Sequence, residues 1–62
     1  MNLVYALGPG HIDRVARDSM LVHYDVGVFV MVVRIVPLVE PGDLVEQGDI
    51  LGEMLADPRY MP

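Results

Sequence analysis

The chain has no cysteine, no lysine and no tryptophan, and a single phenylalanine among its 62 residues. Each absence removes something. Without cysteine there is no disulfide and no thiolate metal site. Without lysine there is no Schiff base and no attachment point for a lysine-linked prosthetic group. Basic charge is scarce as well: four Arg stand against nine acids, giving a net charge of −5. Such a surface repels phosphate backbones, which argues against nucleic-acid binding. The most apolar window, residues 26–39, is fourteen residues long and carries Arg34 and Pro37. A membrane helix needs about 20 apolar residues. Met1-Asn2-Leu3 lacks the basic start of a secretory signal. The expectation is no membrane and no nucleic-acid partner, with the protein in the cytoplasm or part of a virion.

What is present is aliphatic. Hydrophobic residues make up 53% of the chain, and Val is the commonest residue. Val packs well on a pleated surface, so the expected fold class is mostly β, with four to five short strands. One domain spans 1–62. A domain this small buries only about 60% of its unfolded surface and leans on some outside support. With disulfides excluded, a partner subunit is the expected source.

The organising stretch is residues 39–51, VEPGDLVEQGDIL. Two Gly-Asp pairs, Gly42-Asp43 and Gly48-Asp49, stand six residues apart with Leu44 and Val45 between them. Gly opens backbone conformations closed to other residues, and Asp bonds its own backbone in turns. Gly42, Asp43, Gly48 and Asp49 are therefore expected to build a compact double turn. Upstream, residues 2–7 read as a strand stopped by Gly8-Pro9-Gly10. Residues 11–19, HIDRVARDS, place Ile12, Val15 and Ala16 at helical spacing and read as a marginal helix or, equally, as a single turn or a charged loop. Residues 20–24 read as a strand that Asp25 and Gly27 break or bulge. Residues 28–36, VFVMVVRIV, form the longest unpunctuated run. It lacks apolar–polar alternation, which predicts a strand covered on both faces, ended by Pro37. Residues 49–55 read as a closing strand, and residues 56–62, ADPRYMP, as an irregular tail barred from regular structure by Pro58 and Pro62.

Residues 27–55, GVFVMVVRIVPLVEPGDLVEQGDILGEML, resemble half of a biotinyl/lipoyl-type domain, the barrel-sandwich hybrid. The hammerhead-like motif Gly-Asp-x-Val-x-x-Gly-x-x-Leu appears as Gly42, Asp43, Val45, Gly48 and Leu51. The stretch from Arg34-Ile35 also resembles the C-terminal part of phosphatidylserine decarboxylases. The resemblance implies a barrel-sandwich-hybrid-like domain or a half-barrel. Its functional residues do not carry over. The carriers' lysine falls where this chain has Leu55-Ala56-Asp57-Pro58. The decarboxylases' pyruvoyl-forming Ser follows a Gly, whereas Ser19 follows Asp18 and precedes the resembling segment. Scaffold alone is implied, with no cofactor.

Other constellations are thin. Glu40, Asp43, Glu46, Asp49, Glu53 and Asp57 make an acidic run out of register with a calcium loop. It reads as a solvated face. His11 and His23, with Asp13 or Asp25 nearby, lack a third metal ligand. Ser19 has no recognisable base beside it. No catalytic residue and no metal are expected, and the protein is not expected to be an enzyme. A chain this short cannot cover both faces of a nine-residue strand, so part of that apolar surface reads as an interface. The candidates are Val28, Val30, Val32, Arg34, Ile35 and Leu38, with Tyr60 and Met61 in the tail. The expected function is a non-catalytic structural or interaction module that forms a homo-oligomer or docks on a larger assembly, such as a virion. The alternative is a small-ligand binder or enzyme subunit whose site, between protomers, uses His11, His23 or Arg34.

Overall fold

A computed structural model of the chain describes residues 2–55. Among them there are seven strands and no helix: β1 Leu3–Tyr5, β2 Gly10–Val15, β3 Ser19–Tyr24, β4 Val28–Val33, β5 Ile35–Pro37, β6 Leu44–Val45 and β7 Ile50–Met54. They form two antiparallel sheets, ordered β1-β7-β5 and β4-β3-β2-β6. The sheets face each other over one core and do not close into a barrel. The all-β class follows the Val content. The strand number exceeds the expected four to five, because residues 10–15 and 44–45 pair as well and the 28–36 run divides in two.

Residues 11–19 contain neither a helical turn nor only a loop. Most of that stretch is β2. The reason is a register shift against β3 between Ile12 and Arg14, where Asp13 is the extra residue. One inserted residue turns Ile12 and Val15, three apart, to the same inner face. That spacing mimics helical periodicity.

The 28–36 run is also not one strand. It breaks at Arg34, whose φ is 59°. A side chain in this left-handed region costs roughly 1–2 kcal/mol, and the corner it makes carries the chain from the four-stranded sheet into the three-stranded one. β4 is exposed or half-buried throughout, so its outer face is open and not covered.

The core is small and comes from both sheets. Met20, Val22 and Tyr24 of β3 alternate inward and meet Ile12, Ile35, Val45, Leu51 and Ala6. Ile12, Val22 and Ile35 have no exposure at all. Gly52 marks where the three-stranded sheet packs tightest. A Cβ there would run into the Val36 carbonyl oxygen and the Ile35 side chain.

One long ribbon ties the sheets together. Partner numbers add up to 55 at Tyr5–Ile50 in one sheet and at Gly10–Val45 and His11–Leu44 in the other. The N-terminal segment thus runs antiparallel to the 43–50 segment through both sheets. Past Tyr5 the register shifts by one, with Leu51 as the extra, buried residue.

Candidate functional site

Two regions stand out. The first is the double corner. In Glu40-Pro41-Gly42-Asp43 the Asp43 N–H donates to the Glu40 carbonyl at 3.1 Å, and in Glu46-Gln47-Gly48-Asp49 the Asp49 N–H donates to Glu46 at 3.0 Å. Both glycines have φ 89°. These are type II turns, which require positive φ at the third residue. The aspartates act alike: Asp43 Oδ2 accepts from the Glu40 N–H and Asp49 Oδ2 from the Glu46 N–H, each at 2.8 Å. Each turn then docks on the N-terminal segment in the same way. Gly42 donates to Ile12 and Ile12 to Asp43; Gly48 donates to Ala6 and Ala6 to Asp49. The carboxylates are spent on the backbone of their own turns. Glu40, Asp43, Glu46 and Asp49 are exposed.

The second region is the outer face of the four-stranded sheet. Cross-strand pairing lines up Leu44, His11, His23 and Phe29 in one row. His11 meets His23 edge-on with ring centroids 4.9 Å apart, and His23 stacks on Phe29 at 4.0 Å and 12°. The pairing of Leu21 with Met31 and Ser19 with Val33 extends the face along β4. Phe29, Met31 and Val33 are 56%, 67% and 59% exposed.

Parity separates these from the residues singled out in the sequence. Val30 and Val32 turn inward and pack partly buried against the core, and Ile35 lies within it. Val28 is half-exposed and Leu38 exposed. Arg34 is exposed at the corner, where its carbonyl accepts from the Leu55 N–H at 2.7 Å. Tyr60, Met61 and Asp57 lie outside the described residues. Phe29, Met31 and Val33 were missed because an all-apolar run hides which alternate positions face out. The adjoining strand carries the signal: His23 and Ser19, the polar positions of 19–24, mark its outer parity.

The two histidines meet, but Asp13 and Asp25 do not make a metal site with them. Among the described residues no three His, Cys, Asp or Glu side chains are placed to hold a metal ion. An apolar cleft of about 210 Å³ opens between β4 and the turn after β1, lined by Leu7, Pro9, Tyr24, Val26, Val28 and Val30. The Tyr24 hydroxyl accepts from the Leu7 N–H at 3.2 Å, and both residues line the cleft. Sites for drug-sized ligands run from about 300 Å³ upward, so this cleft takes a side chain or a very small apolar molecule. Among the described residues no helix is long and apolar enough to cross a membrane. No family model, curated protein or solved structure matches this chain.

Proposed function

We propose that the protein is a non-catalytic interaction module. It is a small β scaffold that works by self-association, as a repeated subunit of a larger assembly, in the cytoplasm or in a virion. The observation that carries this reading is the exposed row Phe29, Met31 and Val33 on an uncharged strand of a chain with net charge −5. A contiguous apolar patch on the surface of an acidic chain marks an interaction site. In the same reading the scaffold is half of a barrel-sandwich hybrid that has no carrier lysine. The two Gly-Asp corners and the unclosed pair of sheets support it. Sedimentation velocity on the purified chain tests the proposal. The expected result is a species heavier than the 6.9 kDa chain. A monomer at every concentration would remove it.

The cleft favours a second reading, a binder of small apolar molecules. Its site would be walled by Tyr24 and Val30 within one chain. His11, His23 and Arg34 are not among its walls. Resonances of Leu7 and Val30 that shift on titration with a small apolar compound would support that reading over the first.

A further inference from the structure

Resting on the interaction-module reading, we infer that the partner at β4 is a second copy of this chain, joined β4 to β4 in antiparallel register about a two-fold axis at Met31. The sheet edges are unequal. Among the described residues there are four: β1, β5, β4 and β6. β1 has three residues and a register shift, β5 has three and ends in Pro37, and β6 has two between acidic turns. Shortness, proline, bulges and charge are the devices that keep a sheet edge from pairing. β4 has none of them. It is six residues of Val, Phe and Met, paired with β3 in unbroken register. A strand with this edge is built to be paired, and the one edge of this kind among the described residues is β4 itself. Self-pairing through one patch is the isologous, closed solution.

The backbone fixes the register. The Asp25 N–H donates to Pro9, so the odd-numbered residues of β3 address β2 and the even-numbered ones address β4. Met20, Val22 and Tyr24 face Val32, Val30 and Val28. The N–H and C=O groups of Phe29, Met31 and Val33 therefore point to the open edge. Residues paired across a sheet share a face, so outward side chains must meet outward side chains. Centring on Met31 sets all three edge-facing residues opposite one another, with Phe29 against Val33 and Met31 against its own copy. Charge permits the approach: residues 28–33 carry none, and Glu40, Asp43, Glu46 and Asp49 flank β6 at the other side of the sheet. The four-stranded sheet becomes one of eight.

The absence of cysteine supplies the test. In the full chain, Met31→Cys under mild oxidation should give a disulfide-linked dimer, since paired strand residues lie at disulfide distance. Leu44→Cys is more exposed, at 84%, but sits at the β6 edge. It should link about tenfold more slowly or worse, because it gains no local concentration from the pairing. Equal linking of the two variants overturns the inference. So does an unlinked Met31→Cys when the wild type sediments as an oligomer; the interaction-module reading then stands with another face. A wild type that is monomeric throughout removes both. A Met31→Cys link that appears only after Tyr60→Ser and Met61→Ser would mean that the chain's own end holds the edge, and would also overturn it.

Discussion

The double corner is polar around two aliphatic residues, Leu44 and Val45, and β4 is apolar throughout, yet the first is closed on itself and the second is left open. In the corner every local need is met inside the chain. Gly42 and Gly48 supply positive φ, Asp43 and Asp49 supply acceptors, and both turns dock on Ile12 and Ala6. In β4 the core takes Val30 and Val32, while Phe29, Met31 and Val33 stay exposed, Phe29 stacked on His23, and the edge they stand on pairs with no further strand among the described residues. The difference teaches that a motif with its own turn chemistry is self-sufficient. An apolar run without punctuation leaves a face and an edge open among the described residues.

Breaking the comparison starts where the two regions share a core. Ile35→Ala should have the largest effect, about 2–5 kcal/mol, because the side chain is fully buried beneath both sheets. A thermal melt followed by circular dichroism reads it. A loss confined to self-association with no change in melting would make Ile35 an interface residue instead. Gly52→Ala comes next, at about 1–3 kcal/mol, since the added methyl meets the Val36 carbonyl and must move backbone. Wild-type melting of this variant would show that the three-stranded sheet is looser than described.

The corner answers to smaller changes. Gly42→Val and Gly48→Val should each cost about 1–2 kcal/mol through φ alone, because nothing lies within 4 Å of a Cβ at either site. The two losses should match, as the two turns do. Chemical denaturation of both variants checks the equality, and a loss at one site alone would break the duplicate reading. Asp43→Ala and Asp49→Ala should cost least, about 0.5–1.5 kcal/mol each, for one exposed hydrogen bond to backbone. A matching pair again sharpens the comparison.

The sequence made these regions legible to different degrees, for physical reasons. Gly-Asp pairs are local chemistry, so the corner could be placed from residues 39–51 alone. Alternation was readable where polar residues reported it, as His23 does for β3. It failed in β2, because the bulge at Asp13 shifts the inward set from period two to a three-residue step. It failed again in 28–36, where Arg34 bends the chain with φ 59° although Arg has no special preference for that region. Of the candidate site, the apolar run was visible and its outward parity was not. Parity is set by pairing with β3, a contact between segments that neither reveals alone.

If a second copy completes β4 while the corner stands alone, the amides of the two regions respond differently to concentration. Amide hydrogen exchange of the wild-type chain across a range of concentrations tests it most directly. Phe29, Met31 and Val33 point their N–H groups at the open edge. Their exchange should slow by an order of magnitude or more as concentration rises through the dimer's dissociation constant, while Gly42 and Gly48, bonded within the chain, stay equally protected throughout. Rapid exchange of the three β4 amides at every concentration would show that no second copy pairs with β4.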